Sequence, residues 1–440
     1  MSVPKVLIIG GGFGGLAVAK GLRCADVTVT LIDKTNYHLF QPLLYQVASA
    51  ALSPGDIAAP IRSVLRHQEN TTVLMGGIDK IDLDRQVAFA HNGDEFPFDI
   101  LVVATGAHHS YFGHEEWESL APGIKTLADA LTIRQRILVA FERAERSNNP
   151  EEIAGYLNFV IVGGGPTGVE LAGAVAEIAH KSLLKEFRRI DPNQAKVYLI
   201  EGAPRLLSAY PEDLSERARK DLEELGVVVI TGAHVTNITE DGVYIGERFI
   251  PTSTVTWAAG NSARTKMLDA SIPRDRAGRI YVESDLSLKD YPNVFVIGDA
   301  ACAIDPATQK PLPGIAPVAL QQGRFLAKVI AKNLPREERP EFHYHDKGYM
   351  ATIGKARAVA VMGRWKFTGF LAWLAWCLIH VLYLINFRNK LAVMSEWVFC
   401  YITGKRPVRI IHRDIFDAFC PVEPKPLEKF HRQQKKPDHS

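Results

Sequence analysis

Short apolar runs alternate with helical patterns along most of the chain, and small-residue turns separate them. The run KVLIIG starts at Lys5 and leads into a helical pattern from Gly14 to Cys24, which the strand VTVTLID follows as far as Asp33. The order repeats in LNFVIVGGGPTGVELAGAVAEIA and KVYLIEG, where the second strand ends at Glu201. Buried strands that alternate with helices predict an α/β fold with parallel sheets.

Three further runs of the same kind end in turns. FDILVVATGA and VTWAAGN each carry a strand pattern into small residues, and YPNVFVIGDAA brings Asp299 to a strand end beside Gly298. Between the second glycine run and its partner strand, the stretch HKSLLKEFRRIDPNQA is long and polar. Its pattern predicts a helical extension that ends in a turn at Asp191 and Pro192.

The two glycine runs share one spacing, G-x-G-x-x-G. Gly10, Gly12 and Gly15 form the first run, and Gly163, Gly165 and Gly168 form the second. In such turns glycine allows the tight bend, lets the backbone approach a pyrophosphate and permits close helix–strand packing, while the helix N-terminus faces the anion. One such run alone also occurs as a plain strand-to-helix turn. Two runs in the same context favour two dinucleotide sites.

A carboxylate stands at the end of the strand that follows each glycine run. Asp33 follows Gly10 by 23 residues, close to the ~20 expected for an acid that binds ribose hydroxyls. Glu201 follows Gly163 by 38 residues, because the second crossover is longer. A carboxylate at this place accepts a bond from a free 2′-hydroxyl and repels a 2′-phosphate, so we expect NADH rather than NADPH. Arg205 would soften this preference.

The composition excludes some classes of protein but does not indicate which reaction the protein catalyses. The 440 residues are 47% hydrophobic and 23% charged, and the net charge of +2 gives no reason to expect a nucleic acid. The five cysteines are far apart, which excludes a closely spaced redox pair and a local zinc knuckle. The chain enters its first strand almost at once, so we expect no signal peptide and a cytosolic start.

The order of these motifs resembles the two-dinucleotide flavoprotein reductases over roughly residues 1–345, in which the first site holds FAD, the second holds NAD(P)H and the late Asp binds the flavin ribityl chain. The stretch PLPGIAPVALQQGRFLAK further resembles the A-Q-x-A-x-Q-Q-G segment of type II NADH:quinone oxidoreductases, as do TNYHLFQPLLYQVASAALSPGDIAAPIR and VTWAAG. Pro317 stands where that family often has Gln, which removes an amide donor. The resemblance implies an α/β fold with two Rossmann-like dinucleotide-binding domains, for FAD and NADH, plus a C-terminal helical membrane-attachment segment.

The resemblance also implies the site residues. For FAD they are Gly10, Gly12, Phe13, Gly14, Gly15, Asp33, Lys34, Ile78, Thr105, Gly106, Asp299, Ala316 and Pro317, and for NADH they are Gly163, Gly165, Thr167, Gly168, Glu201, Ala259 and Gly260. Pro317, Gln321 and Gln322 would border the quinone, and no metal is expected. Glu170 would be the catalytic residue, near the nicotinamide, in substrate binding or proton delivery. Without the resemblance, Glu170 is a carboxylate favourably placed in its helix dipole, and the two glutamines are solvent-facing amides.

The C-terminal part of the chain is apolar and basic. From Phe367 to Phe387 it has 21 residues without a charged side chain, which at 1.5 Å per residue would span a ~30 Å hydrocarbon layer. Between residues 364 and 413, eight lysines and arginines stand against one acid, Glu396, which suits an anionic lipid surface. Three interpretations are open, in this order: helices in the membrane plane, which the resemblance implies, a spanning helix, and a buried soluble core.

The predicted organisation is an FAD-binding domain in two parts, 1–112 and 271–345, an NADH-binding domain at 113–270, a membrane-associated region at 346–420 and a disordered tail at 421–440. The resemblance implies an enzyme on the cytoplasmic face of the cell membrane that passes hydride from NADH to non-covalent FAD and two electrons to ubiquinone or menaquinone. We expect no proton pumping, and homodimers are common in such enzymes. Two alternatives stay open: a soluble NADH-dependent flavin reductase for another small acceptor, and a redox-sensing FAD scaffold.

Overall fold

The computed structural model describes residues 3–411. The predicted tail at 421–440 and Arg413 of the basic segment therefore lie outside the described residues. The helices are α1 (Phe13–Gly21), α2 (Leu44–Ala48), α3 (Pro54–Ile57), α4 (Ile61–Leu65), α5 (Leu127–Arg146), α6 (Pro150–Tyr156), α7 (Pro166–Glu177), α8 (Glu212–Glu224), α9 (Ala316–Ala331), α10 (Gly369–Tyr383) and α11 (Phe387–Thr403).

Most strands are short and fall into a few separate sheets. They are β1 (Lys5–Ile9), β2 (Thr28–Asp33), β3 (Tyr37–Leu39), β4 (Ala58–Pro60), β5 (Thr71–Met75), β6 (Ile78–Asp82), β7 (Val87–Ala90), β8 (Glu95–Pro97), β9 (Ile100–Val103), β10 (Ala107–His109), β11 (Asn158–Val162), β12 (Lys196–Glu201), β13 (Val227–Thr231), β14 (Asn237–Thr239), β15 (Gly242–Ile245), β16 (Arg248–Pro251), β17 (Thr254–Trp257), β18 (Asn261–Ala263), β19 (Ile280–Tyr281), β20 (Val294–Val296), β21 (Ala301–Cys302), β22 (Tyr349–Gly354), β23 (Arg357–Met362) and β24 (Trp365–Thr368).

The first large sheet is parallel and has the strand order β20-β9-β1-β2-β5. Its central strand β1 is buried from Val6 to Ile9, as a strand covered on both faces must be. Helix α9 lies against α1 because small residues meet there: a Cβ added at Gly323 would stand 2.5 Å from the Gly14 carbonyl oxygen. The predicted strand–turn–helix–strand unit is confirmed.

The second large sheet repeats this architecture with the parallel order β13-β12-β11-β17. Every residue of β11 is buried, and Phe141 of α5 packs on Phe159 with ring centroids 5.3 Å apart. The antiparallel pair β10–β18 lies where the chain leaves the first unit and later returns to it. Two Rossmann-like sheets, as predicted, therefore form the body of the protein.

The C-terminal part adds the antiparallel sheet β22-β23-β24 and the helices α10 and α11. Strand β22 lies directly on α7, because a Cβ at Gly173 would stand only 1.7 Å from the Ile353 carbonyl oxygen. Glycine is therefore the residue that permits this approach. The contact brings the C-terminal sheet against the first helix of the second unit.

The predicted helical extension after α7 is wrong beyond Ser182. A π-helical turn at Ile178–Ser182 ends the helix, and turns follow as far as a short 3₁₀ helix at Pro192–Gln194. The carboxylate of Glu145 accepts hydrogen bonds from the backbone N–H groups of residues 188–190. These N–H groups are thus held by a side chain of α5 rather than by a helix.

The uncharged segment at 367–387 is interrupted in the structure. Its first two residues end β24, α10 occupies 369–383, and a turn precedes α11. Across residues 3–411, no helix combines the length and the hydropathy that crossing a bilayer requires.

Candidate functional site

The first glycine turn is fixed by close backbone contacts. Gly10 has φ +106°, and a Cβ there would stand 2.3 Å from the Ala104 carbonyl oxygen, while a Cβ at Gly15 would stand 1.9 Å from the Gly10 carbonyl oxygen. A Cβ at Gly12 would meet no protein atom within 4 Å. The outer glycines are therefore required by packing, whereas the middle one leaves space outside the turn.

Asp33 closes this turn from the end of β2. Its carboxylate accepts hydrogen bonds from the Gly11 N–H at 2.6 Å and from the Thr35 N–H at 2.7 Å. Beside it, the Lys34 side chain packs over Gly77, next to the buried Ile78. The acid is thus held at the mouth of the turn, where a ribose bound to the loop would lie.

The second glycine turn repeats the first, contact for contact. Gly163 has φ +112°, with the Ala258 carbonyl 2.7 Å from its added Cβ, and the added Cβ of Gly168 would stand 1.8 Å from the Gly163 oxygen. A Cβ at Gly165 would again meet nothing within 4 Å. Glu201 accepts from the Gly164 N–H at 2.5 Å and from the Ala203 N–H at 2.7 Å. The geometry is that of two equivalent nucleotide cradles.

Both cradles suit a pyrophosphate. Helices α1 and α7 begin at glycine N-caps, Gly12 and Gly165, and neither helix start has a side-chain cap or an acidic residue in its first turn. The first N–H groups of each helix are therefore left for an external acceptor, and the helix dipole favours an anion there. The residues present fit FAD at the first turn and NADH at the second.

The carboxyl edge of the first sheet collects the remaining residues predicted to bind FAD. Thr105 and Gly106 follow β9, and Asp299 lies in the short 3₁₀ turn Gly298–Ala300 after β20. The Thr105 hydroxyl donates to the Arg264 carbonyl oxygen at 2.6 Å. Parallel strands bring their carboxyl ends to one edge, so these groups lie at the same edge as the first glycine turn.

The start of α9 lies beside this edge. Ala316 and Pro317 form its first turn. Gln322, which is 1% exposed, accepts a hydrogen bond from the Gly298 N–H at 2.7 Å and so fixes the turn that carries Asp299. The half-buried Gln321 exchanges two hydrogen bonds of 3.0 Å with the backbone of His345. The solvent-facing alternative for Gln322 is therefore wrong.

One basic residue near Asp299 was missed by sequence reasoning. Burial lowers the pKa of Lys125, and the charge of Asp299 opposes that shift. Lys125 immediately precedes Thr126, the N-cap of α5, and its backbone N–H donates to Asp129 in the capping box. The T-x-x-D capping pattern was the available signal for this helix start, but nothing local predicts that Lys125 would lie close to Asp299.

The NADH side of the second sheet ends in the turn after β17. Gly260 has φ +72°, and an added Cβ would meet the Phe112 ring at 2.6 Å. Phe112 itself is 68% exposed, so it forms a wall beside Ala259 and Gly260. Thr167, on the first turn of α7, is exposed on the same cradle.

Glu170 does not face solvent but is buried between α7 and the C-terminal part. Its Oε1 accepts a hydrogen bond from the Thr352 N–H at 3.3 Å, and the Trp376 indole faces the same carboxyl. Burial raises its pKa to about 8, while the Thr352 N–H acts in the opposite direction. Glu170 is therefore mostly protonated at neutral pH. The dipole alternative alone does not explain this environment.

An aromatic path connects this region with the first glycine turn. The Phe13 ring packs edge-on against Phe40 at 5.8 Å, Phe40 against His380 at 6.1 Å, and His380 stacks on Trp376 at 4.0 Å. Burial lowers the pKa of His380 to about 4, so this histidine is neutral at physiological pH. Nothing local in the sequence predicts that α10 would place His380 against Phe40, which itself packs on Phe13.

The outer faces of α10 and α11 are apolar and exposed. Their exposed fractions are 67% for Leu371, 41% for Leu374, 59% for Leu378, 69% for Leu382, 75% for Phe387, 50% for Leu391, 46% for Met394, 57% for Val398 and 75% for Ile402. A contiguous exposed face of this kind marks an interaction surface rather than ordinary protein surface. We name these nine residues the apolar face.

Not all of the basic residues counted in this segment are available to a ligand. Lys366 pairs with Asp213 at 2.7 Å, and Arg409 pairs with Glu186. Arg406 is buried and donates to Ser49 and to Glu177, so it ties the chain after α11 to the protein body.

Proteins with known sequences and structures resemble this chain over most of its length. The model of the pyridine nucleotide-disulphide oxidoreductase family matches residues 4–323. A type II NADH:quinone oxidoreductase of Mycobacterium tuberculosis is 43% identical over 418 residues, which cover 91% of this chain and 89% of that protein. One of Staphylococcus aureus is 30% identical, over 81% of this chain and 89% of that protein.

Solved structures share the fold. An NDH2 from Plasmodium falciparum in complex with NADH has a TM-score of 0.84 at 21% identity, with 92% of this chain and all (100%) of that chain covered. The sulfide:quinone oxidoreductase of Aquifex aeolicus has a TM-score of 0.68 at 19% identity, with 96% of each chain covered. With its two cradles and its sequence relatives taken together, the chain belongs to the type II NADH:quinone oxidoreductases, within the pyridine nucleotide-disulphide oxidoreductase family.

Proposed function

We propose that this protein oxidises NADH through a bound FAD and delivers two electrons to a membrane quinone. The observation that carries the proposal is the pair of equivalent glycine cradles, one in each parallel sheet, each with an open middle glycine and a fixed strand-end acid. A protein that only binds a flavin needs one such cradle. The second cradle supplies a place for the reductant.

We assign FAD to the first cradle. Gly12 and the start of α1 would hold the pyrophosphate, Asp33 would hold the ribose, and Asp299 would hold the ribityl chain. When bound, FAD supplies the chemistry of accepting hydride from NADH and returning electrons to the quinone. The contribution of the chain is to bind, to orient and to exclude water.

We assign NADH to the second cradle, with Gly165 and Thr167 at the pyrophosphate and Glu201 at the ribose. The carboxylate of Glu201 lies at the end of β12 and already accepts two backbone N–H groups. A 2′-phosphate at that place would meet a fixed negative charge, so NADH is preferred over NADPH. Ala259, Gly260 and the ring of Phe112 line the other side of the cradle.

We assign proton delivery to Glu170. A carboxyl group with a pKa of about 8 holds a proton on Oε at neutral pH and can release it without a large driving force. Quinone reduction consumes two protons, and Glu170 is a buried carboxyl group that holds one. Pro317, Gln321 and Gln322 border the quinone in this assignment, with Gln322 acting through the turn that carries Asp299.

We propose that the apolar face of α10 and α11 rests on a lipid surface. Exposed Arg364, Arg388 and Lys405 flank it, which suits anionic headgroups. Replacing Leu378 and Ile402 with Glu should release the protein from anionic vesicles in a flotation assay, whereas NADH oxidation with a soluble acceptor should persist. Full vesicle binding by the double variant would contradict this assignment.

The decisive experiment is stopped-flow mixing of the FAD-loaded protein with NADH, followed by ubiquinone or menaquinone in lipid. Rapid bleaching of flavin absorbance and rapid recovery with quinone are expected. Bleaching without recovery would contradict the assignment of quinone as the electron acceptor. Absence of bleaching would contradict the assignment of NADH as the reductant. The domain boundaries at 112, 270 and 345, a homodimer and attachment at the cytoplasmic face stay predictions.

A further inference from the structure

A buried chain of hydrogen bonds runs from α11 to Glu170. The Trp397 Nε1 donates to the Gln46 Oε1 at 2.6 Å, and the Gln46 Nε2 donates to the Tyr45 hydroxyl at 2.9 Å. That hydroxyl lies 3.0 Å from the Thr352 Oγ1, and the Thr352 N–H donates to Glu170. We name Trp397, Gln46, Tyr45 and Thr352 the Gln46 chain.

The members of this chain come from distant parts of the sequence. Gln46 and Tyr45 lie on α2, 351 and 307 residues from their partners Trp397 and Thr352. Tyr45, Gln46 and Thr352 are 6%, 8% and 5% exposed. Buried polar groups keep their positions only when their partners are present, so the chain ties α11, α2 and β22 into one arrangement.

The first two bonds of the chain have a defined direction. An indole N–H can only donate, so the carboxamide oxygen of Gln46 must face Trp397 and its NH₂ group must face Tyr45. The Tyr45 hydroxyl then accepts from Gln46, whereas in its bond with the Thr352 hydroxyl either oxygen can donate. The first two donors therefore point from α11 towards Tyr45.

The chain is not a proton wire. Indole and carboxamide N–H groups do not release protons near neutral pH, and the hydroxyl of Tyr45 is held in its protonated form because burial raises its pKa. What such a chain transmits is position. Its last donor, the N–H of Thr352, is a backbone group whose distance to Glu170 depends on where β22 lies.

We propose that Gln46 is a positioning residue that couples the seating of α11 to the proton-bearing carboxyl of Glu170. The proposal rests on the proposed function, in which α11 lies on lipid and Glu170 delivers a proton. A shift of α11 displaces Trp397, and the Gln46 chain carries the displacement to Thr352. Contact with the membrane would thereby adjust the acid that serves the quinone.

Other ionisable groups near Glu170 come from each packed element. Tyr45 faces it from α2 and Tyr210 from the loop before α8, and Tyr349 of β22 lies behind Tyr210. Cys377 of α10 faces Tyr45, and burial raises its pKa to about 12. These groups stay neutral through the range in which Glu170 titrates, so an altered Glu170 titration would report its geometry.

The test is an infrared pH titration of the FAD-loaded full chain, in detergent and on anionic vesicles. The Glu170 carboxyl band is identified by its loss in Glu170→Gln. The wild-type midpoint in detergent should lie at about 8. Gln46→Leu and Tyr45→Phe should raise it by roughly half to one pH unit, because the Thr352 N–H lowers this pKa and would be less well placed.

Asn389→Leu is the matched control. Asn389 also anchors α11, through hydrogen bonds of 3.2 Å to the carbonyl oxygens of Gly55 and Ala58, but it is not part of the Gln46 chain. The proposal requires a detergent-to-vesicle shift of the midpoint that wild type and Asn389→Leu both show, because both keep the Gln46 chain, and that Gln46→Leu lacks. Unchanged midpoints in both chain variants, or a detergent-to-vesicle shift that persists in Gln46→Leu, would overturn it.

If Gln46→Leu does not fold, Tyr45→Phe still removes one hydroxyl and leaves the ring packed, so the midpoint of Tyr45→Phe alone tests the proposal. The titration needs no turnover. If the protein does not reduce quinone but shows these shifts of the Glu170 midpoint, the proposed function is wrong and the positioning role of Gln46 is still supported.

Discussion

The glycines of the second cradle should separate into one required by packing and one required by the ligand. In Gly168→Ala, the added Cβ would stand 1.8 Å from the Gly163 oxygen, where a C···O contact needs about 3.3 Å, so the start of α7 must retreat by about 1.5 Å. Overpacking of this size costs about 1–3 kcal/mol of the free energy of unfolding. NADH binding should also fail, because the helix N-terminus is displaced.

Gly165→Ala should behave differently. Gly165 has φ −72° and ψ −179°, which alanine adopts, and its added Cβ meets no protein atom within 4 Å, so the unfolding free energy should stay near that of wild type. The methyl group instead occupies the space in which a pyrophosphate approaches the backbone. Loss of one hydrogen bond to a charged phosphate should weaken NADH binding roughly 10- to 100-fold.

The assay pairs thermal unfolding with stopped-flow flavin reduction at varied NADH concentration, with FAD content measured for each variant. Gly155→Ala on α6 is the control, since its added Cβ also meets nothing and no ligand is assigned there. FAD content should be unaffected in all three variants. Wild-type NADH affinity in Gly165→Ala would refute the assignment of NADH to this cradle.

Three further predictions concern stability. Glu170 has a pKa of about 8 when folded and an ordinary one when unfolded, so the unfolded state releases a proton that the folded state keeps, and the contribution of Glu170 to stability falls as the pH rises from about 4.5 to 8; above about pH 6.5, where His380 does not titrate, the melting temperature of Glu170→Gln should be less sensitive to pH than that of wild type. His380, whose pKa burial lowers to about 4, takes up a proton on unfolding below about 6.5, which opposes the contribution of Glu170, so the melting temperature of His380→Phe should rise relative to that of wild type as the pH falls from 6.5 to 4 in the same scans. Arg406→Met removes buried bonds to Ser49 and the ion pair with Glu177, so denaturant unfolding should show a loss of about 2–4 kcal/mol, whereas exposed Lys405→Met should change it by less than about 0.5 kcal/mol.

The sequence was sufficient for the two cradles, because their physics is local. A glycine spacing, an apolar strand and a strand-end acid lie within one stretch of chain, residues 5–33 in the first unit and residues 158–201 in the second. The structure has Asp33 and Glu201 bonded to their own turns in the same way. The partner strands β9 and β17 were also visible as apolar runs that end in small residues. Features that depend on neighbouring residues in the sequence were therefore predictable from the sequence pattern.

The environment of Glu170 was not predictable, because it depends on contacts between remote elements. Nothing near Glu170 in the sequence indicates that β22 will cover it, 182 residues later along the chain. Gly173 permits this contact because it has no side chain, but in the sequence it looks like any other glycine in a helix. The raised pKa follows from that burial, and so it was invisible as well.

The prediction of a helical extension after α7 was wrong for a related reason. Its polar composition was compatible with a helix, but the decisive interaction is the carboxylate of Glu145, more than 40 residues earlier, which takes the N–H groups of Arg188, Arg189 and Ile190. A distant acceptor that satisfies three successive donors competes directly with helical bonding.

The C-terminal helices show why an uncharged stretch does not by itself decide between a membrane and a core. On α10, Ala372, Trp376 and His380 recur every four residues and face the protein, where Trp376 is 1% exposed. The alternate face carries Leu371, Leu374, Leu378 and Leu382, which are 41–69% exposed. Both faces are uncharged because one lies against aromatic rings and the other is free to meet an apolar phase. A substitution on the inner face therefore tests the proposed site, a substitution on the outer face tests the proposed attachment to lipid, and the Gln46 chain is the link that we propose between the two.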